Sequence, residues 1–585
     1  MDDTLDAGSL ARRAAATPDQ APQQQAEKDR VIGKIVSVSG AMGVAVVSTK
    51  AAAGQGGDHS GEHSGEHSGE HSGEHSGEHS VELDGGSLIG QIGSIVKMQV
   101  TGAWIFASVR GVRAGRRGEE AGVVYVDLDF IGQGELDEQS GTLGALTRGI
   151  SKYPVVGSPL MTTTARDLEH LFARQEMDNI RVGTVFPTDH VPATLTVDTL
   201  LSKHFAVLGS TGTGKSSTLA LLVHRVVAHL PAGHILILDP HNEYAEAFRD
   251  DGVHFDTANL SLPYWLMNLE EHIEVFVGQR TVEREVEVDI LKRCLLAARK
   301  KGLSRGELGK VTVDTPVPYK LTDLIHELEV QAGKLEKPET LLPFLRLKNK
   351  IEELKNDDRY SFMFSGLLIS DSLHEIVSRL FRFPAQGRPV STLDLSGVPS
   401  DIVDVVVSVL ARLMFDFAVW SRREATARPL LLVCEEAHRY VPEARQDQHG
   451  AARKSLERIA KEGRKYGVSL GLVSQRPSDL SESVLSQCGT ILSMRMNNDR
   501  DRQFVERAMP EGSRGFLESL PSLRNRECII SGEGVTAPVR VRLDFLEEGL
   551  RPSSDDPEFS GTWRAELTDP SFVSKVIHRW RSQLR

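Results

Sequence analysis

Phe205-Ala206-Val207-Leu208-Gly209-Ser210-Thr211-Gly212-Thr213-Gly214-Lys215-Ser216, continuing into Ser217-Thr218-Leu219-Ala220-Leu221-Leu222-Val223, is the stretch that decides the fold. Its first four residues are an apolar run that reads as a buried strand, and the residues after Ser217 read as the start of a helix. Gly209 to Ser216 carry the full spacing of a phosphate-binding loop, and strand, Gly-rich turn and helix is the context that gives this spacing its mechanism. Gly209, Gly212 and Gly214 let backbone N–H groups turn inward at the positive end of a helix, with Thr211, Thr213 and Ser217 completing the cradle. Lys215 is placed to reach the β- and γ-phosphates and Ser216 to hold Mg²⁺. A Gly-rich turn before an ordinary helix would not need Lys-Ser in this register. The implied ligand is a nucleoside triphosphate.

Such a loop needs a partner strand that presents carboxylates to the metal and to water. Leu430-Leu431-Leu432-Val433-Cys434-Glu435-Glu436-Ala437-His438 is an apolar run ending in two acids. Unpaired buried carboxylates cost several kcal/mol, on the order of those for other desolvated charges, and a nearby cation offsets that cost. Glu435 is then expected to face the metal's water shell and Glu436 to act as general base on the attacking water. Val468 to Val473 is a further buried strand, followed by Ser474-Gln475-Arg476-Pro477. Gln475 is a candidate γ-phosphate sensor, with a polar strand cap as the alternative. Asp239-Pro240-His241-Asn242-Glu243-Tyr244 follows another strand. Asp239 and Glu243 are expected at the same sheet edge as the phosphate loop, where ligands of open parallel sheets collect. Lys461-Glu462-Gly463-Arg464-Lys465-Tyr466-Gly467 reads as a basic turn. Arg464 is a candidate arginine finger for a neighbouring subunit, and a solvated basic helix end is the alternative.

At 585 residues the chain calls for two or three domains. The net charge of −13 argues against a protein that coats nucleic acid wholesale. It does not exclude a ring with a basic channel, because screening confines each patch to about 8–10 Å. No apolar run approaches the ~20 residues needed to cross a bilayer. The acidic Met1-Asp2-Asp3-Thr4 start lacks the apolar core of a signal peptide. Cys294, Cys434, Cys488 and Cys528 are scattered, without metal spacing or a disulfide framework, which fits a reducing cytoplasm. No membrane contact is expected.

Residues 1–28 lack periodicity and read as a disordered leader. Residues 29–189 read as a small β-barrel, with short strands near 31–38, 43–47, 94–100, 104–109 and 123–128. A His-Ser-Gly-Glu repeat interrupts it at 54–82. Its four-residue spacing would align the histidines on a helix, but a Gly in every repeat disfavours that helix, so a solvated loop is expected. Residues 190–545 alternate β and α, with strands at 204–208, 234–238, 390–395, 429–434, 468–473 and 490–494. A helical insertion occupies about 270–385, with charged helical stretches at 281–300 and 321–355. Residues 546–585 form a tail that ends in a basic amphipathic stretch, Phe572 to Arg585.

A transporter-type ATPase is disfavoured, because Leu395-Ser396-Gly397-Val398-Pro399 sits at the end of a strand instead of the start of a helix. Taken together, the phosphate loop, Asp239 to Tyr244, Asp394-Leu395-Ser396-Gly397, Glu435-Glu436-Ala437-His438, Glu462 to Gly467 and Ser474 to Leu480 resemble the HerA branch of the HerA/FtsK ATPases. The resemblance spans roughly residues 30–550. It implies an α/β fold with a small N-terminal barrel, a RecA-like P-loop ATPase core carrying a helical insertion, and a C-terminal brace onto the adjacent subunit. It further implies a homo-hexamer that moves double-stranded DNA, with ATP and Mg²⁺ at Lys215 and Ser216, Glu436 catalytic, Gln475 a sensor and Arg464 acting in trans. Relatives also work with a nuclease, or with an NADase effector in anti-phage defence, docked on the barrel. Two departures stand out: Glu435 replaces the more usual Asp, and the His-Ser-Gly-Glu repeat is foreign to the family barrel. Two functions share these motifs. One is an ATP-driven DNA translocase or helicase serving a separate nuclease or other effector; the other is an ATP-regulated hexameric scaffold that activates such an effector. A conjugative DNA-transfer motor would normally add membrane segments. Arg453, Lys454 and Lys461 are candidate DNA contacts or simply a solvated outer helix.

Overall fold

A computed structural model describes residues 29–47, 92–115, 123–136, 143–172, 178–278, 283–302, 310–334, 338–365, 368–443, 450–509, 514–553, 559–564 and 569–582. The leader at 1–28 and the repeat at 54–82 lie outside the described residues. The chain forms two compact units. One contains the described residues up to Thr213, together with Arg476–Ser478 and Cys488–Asp544. The other contains Gly214–Gln475, Asp479–Gln487 and the described residues from Phe545 onward.

The first unit opens with β1 (Val31–Ser39), β2 (Met42–Val47), β3 (Ile95–Val100), β4 (Ala103–Ala114), β5 (Val124–Leu136), β6 (Leu143–Arg148) and β7 (Pro159–Thr162). Their order is β2-β1-β7-β3-β4-β5-β6, and β2 also pairs with β5. Six strands therefore close into a barrel, with β6 attached outside the ring along β5. Closure pairs each of these six strands on both sides and so removes the free edges of the ring. Inward-facing Ile35, Val96, Met98, Ile105, Val109, Val126, Leu128 and Leu160 fill the interior. Gly33 sits where the β1 register shifts, and a Cβ there would lie 2.2 Å from the Val46 carbonyl oxygen. Only glycine fits that bulge. The sequence shows five of these strands. β6 and β7 are additional, and β5 runs on past 128 to Leu136.

Eleven more strands follow: β8 (Asn179–Val185), β9 (Pro192–Thr196), β10 (Phe205–Leu208), β11 (Ile235–Asp239), β12 (Gly252–Phe255), β13 (Val390–Asp394), β14 (Leu430–Cys434), β15 (Val468–Ser474), β16 (Thr490–Met494), β17 (Glu527–Gly532) and β18 (Val539–Leu543). Within the first unit, β10 and β16 run parallel, and β17, β18, β8 and β9 add antiparallel strands beyond β16. Arg148, from β6, donates through Nε to the Thr536 carbonyl at 2.9 Å, and its Nη2 reaches the carbonyls of Gly532 and Val535.

The second unit holds the parallel order β12-β13-β11-β14-β15. β11, β13, β14 and β15 are buried along their whole lengths, as strands covered by helices on both faces must be. The helices Val403–Ser421 and Ala451–Tyr466 pack against each other and against β15. Between β12 and β13 lies the expected helical insertion, with helices at Leu269–Phe276, Arg284–Lys301, Leu321–Ala332, Leu342–Asn356 and Leu373–Leu380. The helical stretch 321–355 consists of the two helices Leu321–Ala332 and Leu342–Asn356. The fully buried Arg299 of the helix Arg284–Lys301 donates to the carbonyls of Met267 (2.6 Å) and Thr315. Arg412 meets both oxygens of Glu271 at 3.0 Å, and Glu271 also completes a capping box with Asn268. The segment 461–467 corrects the expected basic turn. The helix runs to Tyr466, held by the Arg453–Glu457 and Lys461–Glu457 pairs, and Gly467 at φ 78° closes it.

Two acids cap that helix. Glu274 Oε2 accepts from Ala451 N at 2.9 Å and Asp404 Oδ2 from Ala452 N at 3.2 Å, with the two carboxyl groups bonded to each other. Burial first, and then the Asp404 charge, push the Glu274 carboxyl from 4.5 up to about 7, against the Ala451 N–H and Lys454. A carboxyl raised in this way contributes stability that is fully present below its unfolded pKa and is lost as pH rises through about 7. Glu274→Gln keeps an acceptor for Ala451. It is expected to stabilise the protein at pH 8 by about 1 kcal/mol, discounted for partial exposure, and to leave it unchanged at pH 4. Thermal unfolding at the two pH values checks this, and an equal shift at both would contradict it.

Candidate nucleotide site

The phosphate loop follows β10, whose four residues are all buried. Gly212 and Gly214 adopt φ 74° and 98°, left-handed values that turn successive peptide N–H groups to one side. A Cβ on Gly209 would lie 2.8 Å from that of Met494. Thr213 is buried and donates to the Ser210 carbonyl at 2.8 Å, so its hydroxyl braces the loop from inside. Thr211 and Ser217 are exposed. Helix Lys215–His229 begins at once, without a side-chain cap, which leaves its first N–H groups for an anion.

Around the start of this helix the second unit gathers acids. β14 ends at Cys434 and delivers Glu435 (3% exposed) and Glu436 (7% exposed). Tyr244, fully buried, donates from its hydroxyl to Glu435 Oε2 at 3.0 Å. Burial pushes the Glu435 carboxyl up to about 8; the Tyr244 bond and Lys215 oppose the rise, and Glu436 and Glu243 add to it. Lys215, only 8% exposed, is pulled down by burial and held up by Glu435, Glu436 and Glu243. Glu436 is raised by burial against the charges of Lys215 and His241. Its backbone is left-handed at φ 49°, an uncommon conformation for a residue with a side chain. Its Oε2 is buried without an aligned donor, although His438 Nδ1 lies 3.1 Å away. Proximity alone is not a hydrogen bond, so this oxygen retains acceptor capacity. His438 Nδ1 is also 3.2 Å from Ser474 Oγ at the end of β15.

Other expected site residues fall in different places. Asp239 is fully buried, and its carboxylate accepts from the backbone N–H groups of His241 (3.2 Å), Glu243 and Tyr244 (2.9 Å). It shapes the turn that carries Tyr244. Glu243 is half-buried, and its carbonyl accepts from Ser553 N at 2.9 Å. Gln475 is half-buried directly after β15. Arg464 is exposed in the last turn of its helix, outside this cluster. Arg453 and Lys461 both pair with Glu457, and Lys454 pairs with Glu270. Tyr244 is the main residue that motif reading left without a role; its one signal is its place next to Glu243. All four cysteines are buried.

Among the described residues, no group of three or more His, Cys, Asp or Glu side chains forms a metal cage. Mg²⁺ needs no such cage when phosphate and water supply most of its ligands. A hydroxyl on Ser216, a carboxylate on Glu435 and the donor-less Glu436 oxygen are hard oxygen donors, and they fit ATP with Mg²⁺.

The family model described as "Helicase HerA, central domain" matches residues 180–414. The "DNA double-strand break repair helicase HerA" of Pyrococcus furiosus is 26% identical over 427 residues, covering 66% of this chain and 72% of that protein. The protein of the same description from Saccharolobus solfataricus is 28% identical over 423 residues, covering 70% and 77%. Among solved structures, VirB4 of Thermoanaerobacter pseudethanolicus aligns at a TM-score of 0.45 and 17% identity, over 64% of this chain and 98% of its own.

Proposed function

We propose that this chain, which is similar to the HerA helicases of the HerA/FtsK P-loop ATPases, is a hexameric motor that hydrolyses ATP to move along double-stranded DNA and serves a separate effector. The observation that carries the catalytic part is the Glu436 carboxylate. It is buried, held on a left-handed backbone, short of a donor and set in the field of Lys215. The named relatives, described as DNA repair helicases, support the DNA substrate.

Each side chain then has a part. Lys215 binds the β- and γ-phosphates. Ser216 and Glu435 hold Mg²⁺, which supplies charge neutralisation on the phosphate oxygens. Glu436 accepts the proton of the attacking water as its oxygen bonds to the γ-phosphorus and the bond to the leaving ADP oxygen breaks. Gln475, at the tip of β15, orients that water or senses the γ-phosphate, and Glu243 joins Glu435 and Glu436 in favouring the charged form of Lys215 against burial. Arg464, exposed and outside its own chain's cluster, suits a finger given to the neighbouring subunit. For Arg464→Ala we expect rings without turnover, and mixed rings with Lys215→Ala subunits that regain part of it. Mixtures that stay inactive at every ratio would remove the action in trans.

The effector, a nuclease or an NADase, is assigned to the barrel. There Tyr153, Val155 and Val156 stand exposed on the loop before β7, at 52%, 74% and 65%. Displacement of a third strand from a DNA triplex tests the motor. ATP-dependent displacement that Glu436→Gln abolishes is expected. Hydrolysis with no displacement would favour the ATP-regulated scaffold.

A further inference from the structure

Tyr244 stands between the two residues assigned to the metal. Its hydroxyl is 3.0 Å from Glu435 Oε2, and the Ser216 side chain is its other hydrogen-bond partner. The ring cannot drift. It is fully buried, it lies nearly parallel to Phe248 with centroids 6.3 Å apart, and its backbone N–H is fixed by Asp239 Oδ2 at 2.9 Å. We propose that Tyr244 is a positioning residue that sets the direction of a Ser216–Tyr244–Glu435 hydrogen-bond chain, and thereby aims the Ser216 oxygen lone pairs at Mg²⁺.

The direction follows from what each group can donate. A carboxylate that faces a cation is ionised and only accepts, so the Tyr244 hydroxyl donates to Glu435. That hydroxyl has one proton, already committed, so toward Ser216 it acts as acceptor and Ser216 donates. With its proton held away, the Ser216 oxygen has lone pairs left for the metal. In a simpler arrangement the serine would donate straight to the acid; here the tyrosine is interposed between the two groups. Asp239 enters the same scheme one step back, by holding the turn that presents Tyr244. Outer-shell partners of this type are worth about 10- to 100-fold in metal affinity.

The inference rests on the ATP·Mg²⁺ reading above, and the test separates the two. Tyr244→Phe keeps the buried ring and removes only the hydroxyl. Binding of a fluorescent ADP analogue to the full chain is measured in EDTA and across a Mg²⁺ titration. In wild type, Mg²⁺ is expected to tighten binding. In Tyr244→Phe, the EDTA affinity is expected to stay within about twofold and the Mg²⁺ midpoint to rise about 10-fold. An unchanged midpoint would overturn the positioning role, and so would an equal loss with and without metal. Wild type that binds no nucleotide would overturn the site itself.

Discussion

Glu436→Gln is expected to bind ATP as tightly as wild type and to hydrolyse it about 10³-fold more slowly, within the range for loss of a positioned general base. Glutamine keeps the length of the side chain and an oxygen acceptor but cannot take a proton. The native carboxylate is suited to that task, because burial raises its affinity for a proton, against the opposing charges of Lys215 and His241. Its left-handed backbone, shared with few non-glycine residues among the described ones, fixes where the oxygen points. Steady-state hydrolysis beside equilibrium nucleotide binding separates the two effects. Loss of binding equal to loss of turnover would assign Glu436 to the ground state and leave the base unidentified.

Lys215→Ala is expected to abolish hydrolysis, by about 10³-fold or more, and to weaken ATP binding as well, while the fold survives. Lys215 is buried at the start of its helix, yet its charge faces Glu435, Glu436 and Glu243 and not the apolar core. Removing it takes away the contact to the transferring phosphoryl group. It also takes one cation away from three acids, so each becomes easier to protonate. Circular dichroism and ATP turnover measured on the same preparation check both halves. An unfolded variant would give Lys215 a structural role, and a turning-over variant would remove it from the phosphate site.

The contrast between these two residues and Tyr244 shows what the sequence makes legible. Lys215 and Glu436 lie in local patterns: a Gly-rich turn between strand and helix, and an apolar run that ends in acids. Burial on both faces writes the parallel strands as unbroken apolar segments, which is why β10, β14 and β16 begin and end within one residue of their sequence-read limits. Short or half-exposed strands lack that signature. β12 (Gly-Val-His-Phe) and β7 (Pro-Leu-Met-Thr) are four residues each, with mixed burial. The ends of the helix Ala451–Tyr466 were obscured by its basic last turns, whose stability comes from i,i+4 pairs on Glu457. Tyr244 meets Glu435 across 191 residues of sequence, a contact that no local pattern encodes. Asp239 shows the opposite case. Its place at the end of β11 suggests a ligand-facing acid, whereas its oxygens serve the backbone of its own turn. A carboxylate at a sheet edge has two uses, and only the positions of nearby N–H groups tell them apart.

The central claim is a DNA-coupled ATPase, and its most direct test is ATP hydrolysis by purified wild type and Glu436→Gln, with and without linear double-stranded DNA. Wild-type turnover is expected to rise strongly with DNA, to lose that rise as salt is added, and to vanish in the variant in both conditions. Turnover that is abolished by the variant but indifferent to DNA would contradict the motor and leave an ATP-regulated scaffold in its place.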